Sequence, residues 1–287
     1  MKYLIFGKGG WLAQKFNNYL EDSSISEVDI TDLPAIRREL EEKDPEVVIN
    51  AAGITGRPNI DWCEDHKLET VTGNVAGVLN LEIACAEKNI YWVHLSSGCI
   101  FQGSGPQGMG FMEYDKATPP SFYSWTKYWT DDILRNFPVL IVRLRLPIDT
   151  EPNPRNLINK LIKYSKVIDS ENSVTIIPDF LYATKKLIEK RKTGIYHVVN
   201  PGTIRPSEIM NLYKEIIDPN HRFEVITGDD LYKMGLAKAV RSNCVLNTSR
   251  LQDEGIILAP TKERIKEVLL EYKKHLNKQK ENPVIVL

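Results

Sequence analysis

Short, wholly apolar runs recur along the first half of the chain, separated by stretches whose apolar residues return every three or four positions. Tyr3-Leu4-Ile5-Phe6, Val47-Val48-Ile49-Asn50, Tyr91-Trp92-Val93-His94-Leu95 and Val139-Leu140-Ile141-Val142 read as strands buried on both faces. Amphipathic segments up to about Leu20, from Asp32 to Glu42, from Leu68 to Lys88 and from Tyr123 to Arg135 read as helices between them. A weaker strand is predicted over Ile25–Asp29, and Pro34 sits in the first turn of the helix that follows, where proline is tolerated. Strands alternating with helices predict a doubly wound parallel α/β sheet of the Rossmann type.

After Pro147 the pattern changes. Asn153-Pro154-Arg155-Asn156 opens a helix, and Val174-Thr175-Ile176 is a short strand before a helix over Leu181–Lys190. Gly194 to Val199 is a strand that runs into an Asn200-Pro201-Gly202 turn, and helices follow over Ser207–Ile217 and Thr261–Leu276. The expected division is a dinucleotide-binding domain over 1–147, to which 174–192 returns. A smaller mixed α/β substrate-binding cap takes 148–173 and 193–287. The terminal Val284-Ile285-Val286-Leu287 fits a docking strand and a loose tail equally well.

Composition narrows the class without choosing a function. Of 287 residues, 42% are hydrophobic and 26% charged, ordinary globular usage with ample core-forming surface. Thirty-seven basic and 38 acidic side chains give a net charge of −1, without the basic excess that nucleic-acid binding requires. Cys63, Cys85, Cys99 and Cys244 lack CxxC spacing, which predicts free thiols in a reducing cytoplasm. The apolar run before Gly7 is only four residues long, too short for a signal-peptide core, and no apolar run approaches a membrane span. No metal is expected: Cys63 and His66 are a Cys-x-x-His without a second pair, a poor zinc site. His94 reads as a satisfied core histidine, and Trp125 and Trp129 as core or pocket wall.

The first strand runs directly into Gly7-Lys8-Gly9-Gly10-Trp11-Leu12-Ala13. A dinucleotide pyrophosphate needs bare backbone amides at a helix N-terminus, and glycines permit the sharp turn and the close approach. The spacing is GxxGxxA, with small Ala13 letting helix and strand pack tightly. The coenzyme's ribose partner stays open. Asp29, with Ile30 beside it, lies where an acid would bind a 2′-hydroxyl and favour NAD; it also fits the N-cap region of the next helix. Lys8 could instead meet the 2′-phosphate of NADP.

Tyr123-Ser124-Trp125-Thr126-Lys127 places a phenol and an amine one helical turn apart. A nearby ammonium favours a phenolate, and such a tyrosine protonates a carbonyl oxygen as hydride reaches its carbon. The spacing alone is cheap: Tyr182 and Lys186 repeat it, and that copy is assigned to chance. What distinguishes Tyr123 is Ser96-Ser97, a hydroxyl pair at the end of a parallel strand, where ligands of open α/β sheets bind.

With the glycine turn, Asn50-Ala51-Ala52-Gly53, Ser97 and Tyr123/Lys127 in this order, the chain resembles the extended short-chain dehydrogenases/reductases over nearly its whole length. Narrower segments are Asn50 to Glu64, Ser97 to Phe101, Ser121 to Ser124, Asn153 to Asn156 and Asn200-Pro201-Gly202. They are similar to the dTDP-4-dehydrorhamnose reductase branch and, within it, to bifunctional UDP-4-keto-6-deoxyglucose 3,5-epimerase/4-reductases. The resemblance implies inversion at C3 and C5 of a 4-keto sugar, then reduction of the C4 ketone by NADPH, with NADH as the alternative. It favours a UDP-linked over a dTDP-linked substrate and leaves a homodimer open.

Carried over by motif, the resemblance implies coenzyme contacts from Gly7 to Leu12, at Asp29 and Ile30, at Ala51, Ala52 and Gly53, and at Tyr123 and Lys127. Ser97, Tyr123 and Lys127 would perform the reduction. Cys99 and Lys160 would be the acid/base pair of epimerisation, a role that requires pKa values brought toward neutrality. Without the resemblance, Cys99 reads as a small core residue and Lys160 as a surface lysine. Thr55, Arg57, Cys99, Phe101, Asn156 and Arg241 are the implied substrate contacts. Arg57 and Arg241 fit a diphosphate and a surface acid equally well. The second-strand region offers no arginine for a 2′-phosphate. Two rival functions remain: a 4-reductase without epimerase activity, and a non-catalytic NADP-binding regulatory subunit.

Overall fold

The computed structural model describes residues 1–281, with side chains through 278, so the terminal Val284–Leu287 segment lies outside the described residues. Six parallel strands form the central sheet: β1 (Tyr3–Phe6), β2 (Ser23–Ile25), β3 (Val47–Asn50), β4 (Tyr91–Ser97), β5 (Leu140–Leu144) and, later in the chain, a strand at Gly194–His197. The helices between the first five are α1 (Trp11–Tyr19), α2 (Leu33–Lys43), the short α3 (Asp61–Asp65), α4 (Lys67–Val71), α5 (Gly77–Glu87) and α6 (Phe122–Leu134). A π-helical turn over Thr72–Ala76 joins α4 to α5.

Period-two side-chain alternation buries both faces. Ile5, Ile49, Val93 and Val142 pack with Ala13 and Phe16 of α1 on one face. Leu4, Phe6, Val48 and Ile141 pack with Ile36, Leu40, Val78 and Leu81 on the other. This is the doubly wound α/β fold expected from the sequence.

The spatial order is β2-β1-β3-β4-β5 with the Gly194–His197 strand at the far edge. The chain leaves β1 toward β2 on one side and returns to place β3 on the other. The two strand ends therefore diverge at β1/β3, the switch point where open α/β sheets bind ligands.

After β5 come β6 (Pro147–Ile148), α7 (Leu157–Leu161), β7 (Lys166–Ile168), β8 (Thr175–Ile176), α8 (Ile177–Glu189) and β9 (Gly194–His197). The chain continues with α9 (Pro206–Ile216), β10 (Glu224–Ile226), α10 (Gly228–Lys233), α11 (Ser249–Asp253) and α12 (Thr261–Glu281). Two parallel strand pairs, β6/β8 and β7/β10, surround a separate core of Ile148, Ile158, Val167, Ile176, Met210, Val268 and Tyr272. Helix α8 belongs to the main sheet, where Phe180, Ala183 and Leu187 join the α1-side core.

Three expectations are corrected. The segment assigned to the cap from residue 193 begins with β9, which pairs in parallel with β5 from Leu140↔Gly194 to Arg143↔His197. Helix α8 carries the chain back across the sheet to make that pairing. The second strand is Ser23–Ile25 rather than Ile25–Asp29: Ser26 still donates to Ile5 O at 2.8 Å, but its Oγ accepts from Val28 N–H and turns the chain away. Trp125 and Trp129 are 41% and 38% exposed on α6 and so are not core, although Trp125 lines a surface cavity with Phe122, Lys238 and Val240. No helix among the described residues is long and apolar enough to cross a membrane.

Candidate active site

The glycine turn occupies the switch point. Gly7 has φ +126°, and a Cβ built on it would lie 2.8 Å from the Ala51 carbonyl carbon and 2.9 Å from the Ala52 nitrogen. The turn thus presses directly against the chain leaving β3. Gly10 N–H donates to Gly7 O at 2.8 Å, closing the turn, and Gly10 is the N-cap of α1. No side chain caps this helix, and Gln14 N–H is the first amide bonded back to Gly10 O. The amides of Trp11 and Leu12 are therefore free to receive an anion. Gly9, at φ +70°, has open space where a side chain would stand. Bare amides, a positive helix end and a cradle that a Cβ would fill all fit a dinucleotide pyrophosphate.

Gly7→Ala should lower coenzyme affinity and thermal stability together, because the added methyl meets backbone at a φ closed to L-residues. Gly9→Ala, with no clash, should cost only about 1–2 kcal/mol of backbone strain. Fluorescence titration and thermal unfolding of both variants check this; equal effects at the two positions would refute the packing account.

On the ribose side, Asp29 is exposed, and its Oδ1 accepts from Thr31 N–H and Thr31 Oγ1–H, both at 2.8 Å. Ile30 is buried beneath Gly77 of α5. The acid that follows β2 is Glu27, and it forms an ion pair with Lys8 of the glycine turn.

The reductive set gathers at the ends of β4 and α6. Ser97 ends β4, and its Oγ accepts from Cys99 N–H at 3.2 Å, capping a single 3-10 turn over Gly98–Ile100. Helix α6 starts just before Tyr123 because Ser121 Oγ accepts from Ser124 N–H at 3.2 Å. Glu64 of α3 accepts from Phe122 N–H at 2.9 Å and fixes the same helix end. Burial pushes the Tyr123 phenol up, reinforced by the thiols of Cys99 and Cys63 and opposed by the Ser97 hydroxyl. Tyr123 is therefore held protonated, the form in which it donates. Burial pushes Lys127 below the usual lysine range. Its Nζ donates to Leu95 O at 3.1 Å and lies 3.0 Å from His94 Nε2.

Cys99 sits within reach of this set. Burial raises its thiol, while the hydroxyls of Ser97 and Ser124 and the charge of Arg145 pull it down. Lys160 lies on α7 of the cap, and burial lowers it, helped by the neighbouring Arg155. No hydrogen bond or ion pair occupies its Nζ among the described residues.

The implied substrate contacts divide. Thr55 lies on the loop after β3, where its Oγ1 accepts from Arg155 Nη1–H at 3.0 Å. Arg57 is exposed on the same loop. Arg241 spends its guanidinium on Asp61 of α3, at 2.7 and 2.8 Å. Two residues do not offer side chains to a ligand. Phe101 is fully buried and stacked on Phe111 at 4.5 Å between ring centres. Asn156 is fully buried as the cap of α7: its Nδ2 donates to Asp149 O and Glu151 O, and its Oδ1 accepts from Ile158 N–H. An aromatic and an amide beside family motifs look like ligand contacts in sequence, yet packing and capping consume both.

Sequence reasoning missed Arg155 and Asn74. Arg155 reaches from the cap to Thr55 Oγ1 and Gly56 O. Asn74, turned inward by the π-helical turn, bonds both Ile54 N–H and Ile54 O and donates to Thr126 Oγ1 of α6. No spacing rule marks either, because each acts across more than 50 residues of chain or through an irregular turn. The chance copy of the dyad stays apart: Tyr182 is exposed and Lys186 pairs with Glu189 at 2.8 Å.

Sheet order, glycine turn and the Ser97–Tyr123–Lys127 set at the strand ends define an enzyme of the extended short-chain dehydrogenase/reductase class. A sequence profile described as the RmlD substrate binding domain matches residues 1–274, and the chain belongs to that family. It is 38% identical over 97% of its length to a bifunctional dTDP-4-dehydrorhamnose 3,5-epimerase/dTDP-4-dehydrorhamnose reductase of Arabidopsis thaliana, 94% of which is covered. The crystal structure of a UDP-rhamnose synthase from Acanthamoeba polyphaga mimivirus superposes with TM-score 0.89 at 32% identity, covering 94% of this chain and 99% of that one. A Bacillus anthracis dTDP-4-dehydrorhamnose reductase in complex with NADP shares the fold at TM-score 0.80 and 22% identity, covering 95% and 98% of the two chains.

Proposed function

We propose that the protein inverts C3 and C5 of UDP-4-keto-6-deoxyglucose and reduces its C4 ketone with NADPH, forming UDP-L-rhamnose. The observation that supports this is the placing of Cys99 beside Ser97, Ser124 and Tyr123, which brings the thiol assigned to epimerisation next to the reductive set. The relative in Arabidopsis is named for both activities, and the mimiviral protein for a UDP-linked product.

The environments assign acid and base. Burial keeps Cys99 a thiol and favours Lys160 as a free amine. The C4 carbonyl acidifies the protons on C3 and C5, so Lys160 removes one and Cys99 returns one from the opposite face. For reduction, the Ser97 hydroxyl donates to the C4 oxygen while Tyr123 gives it a proton. The nicotinamide supplies the hydride to C4 when bound. The glycine-turn amides hold the pyrophosphate. NADPH is favoured over NADH because Lys8, on the glycine turn, would meet a 2′-phosphate in place of its Glu27 partner. The four cysteines are free thiols, as a reducing cytoplasm keeps them.

The test is a single incubation of purified protein with UDP-4-keto-6-deoxyglucose and NADPH in D₂O. UDP-rhamnose carrying deuterium at C3 and C5 is expected. A reduced sugar without deuterium at those carbons would leave a 4-reductase that needs a separate epimerase. Parallel runs with the dTDP-linked sugar and with NADH rank the nucleotide and the coenzyme.

A further inference from the structure

Behind the dyad, three buried polar side chains link β3, β4 and α6. Lys127 Nζ lies 3.0 Å from His94 Nε2, and His94 Nδ1 lies 3.2 Å from Asn50 Nδ2. Asn50 Oδ1 accepts from Ala52 N–H at 3.0 Å. Asn50 and His94 are fully buried and Lys127 nearly so, so each contact needs a donor facing an acceptor.

That requirement orients the whole chain from one end. The Ala52 amide only donates, which holds Asn50 Oδ1 toward it and leaves the Asn50 NH₂, also a donor, facing His94. His94 Nδ1 must therefore present its lone pair. A neutral imidazole with a bare Nδ1 carries its proton on Nε2, and a doubly protonated ring is excluded. The Nε2–H then points at Lys127, whose nitrogen has a lone pair only as the free amine. We infer that His94, anchored by Asn50, is a positioning residue that holds Lys127 as a neutral amine in the coenzyme-free enzyme. The role of Lys127 in reduction rests on the function proposed above; the polarity of the chain does not.

The other groups that act on Lys127 are Asp131 on its own helix and Cys99 from the turn after β4. Asp131 favours the ammonium; its Oδ2 is engaged by Arg143 at 2.7 Å, while its buried Oδ1 has no partner among the described residues. His94 is faced by Lys127, Asn50 and the Trp92 ring, none of them anionic. Burial pushes His94 well below the usual histidine range and Lys127 below its own. Charging Lys127 requires the chain to invert. The His94 proton moves to Nδ1, the Asn50 amide turns over, and Ala52 N–H loses its acceptor. Ala52 belongs to the segment that packs on the glycine turn, so the charge of the dyad lysine and the backbone at the coenzyme crevice are coupled.

Long-range ¹H–¹⁵N NMR of the whole chain labelled at histidine tests this directly, because a bare ring nitrogen resonates far downfield of a protonated one. The expected His94 signal from pH 6 to 8, without coenzyme, is bare Nδ1 with protonated Nε2. The opposite tautomer, or a doubly protonated ring, overturns the inference. His94→Gln assigns the resonance. If it does not fold, the near-isosteric Asn50→Asp serves, since a carboxylate only accepts and should convert His94 to the Nδ1–H form. In single-turnover reduction, Asn50→Asp should move the lysine inflection of the pH profile up by about one unit, tenfold in the protonation equilibrium. A converted tautomer with an unmoved profile refutes the coupling. Wild-type protein that fails to reduce any keto sugar would strike the reading of the dyad and leave the tautomer result standing.

Discussion

Tyr123→Phe is expected to slow C4 reduction by about 10²–10⁴-fold, the usual contribution of a positioned general acid. The phenol is the proton source at the carbonyl oxygen, and burial keeps it protonated throughout the neutral range. Phenylalanine preserves the ring that packs at the head of α6, so the fold and the glycine turn are undisturbed. Coenzyme affinity should stay within about twofold, which separates a lost proton from a lost binding contact. Deuterium exchange at C3 and C5 should persist in this variant, since it depends on Cys99 and Lys160. Stopped-flow reduction, coenzyme titration and exchange monitored by NMR read the three quantities. Full activity in Tyr123→Phe would remove the dyad from the mechanism.

Cys99→Ala is expected to stop epimerisation at C3 and C5 while sparing reduction of a sugar already epimerised. Alanine fills most of the thiol's space in a buried turn, and the Ser97 cap on residue 99 uses backbone, not sulfur. The predicted loss is again about 10²-fold or more. The same assignment fixes the pH dependence of exchange in the wild type. Lys160 must be deprotonated, so the rate rises with pH through a value below that of an ordinary lysine. Cys99 must keep its proton, so the rate falls only above the usual thiol range. A profile that falls through neutral pH would reverse the two roles. Equal loss of both activities in Cys99→Ala would deny them separate groups.

The sheet and its glycine turn were legible because their signals are local. An apolar tetrad ending in glycines predicts a buried strand and a phosphate-type turn without reference to distant residues, and Gly7 stands where that reading puts it. Tyr123 was separated from Tyr182 by a hydroxyl one strand away, and the structure keeps them apart: one is held among Ser97 and Cys99, the other faces water. β9 was placed in the wrong unit because its partner, β5, lies some fifty residues earlier, and only the crossover through α8 decides the pairing. Phe101 and Asn156 illustrate a different limit. Their neighbours in sequence are functional, but their side chains are spent on a stacked pair and a helix cap, and composition does not distinguish those fates. Lys8 was read as a cation of the turn open to a 2′-phosphate; its Glu27 partner went unseen because it follows a strand that ends four residues sooner than the pattern indicated.

The irregular turn between α4 and α5 limits how this protein can be altered. One residue added to or removed from a regular helix rotates everything beyond it by about 100°. In the wider turn over Thr72–Ala76, that offset swings Asn74 into the interior, where it ties the loop after β3 to the dyad helix. Trimming the segment to an ideal helix would carry this amide round to another side. A change made for regularity would then be felt as misalignment between the coenzyme crevice and the proton donor, at a position that touches neither.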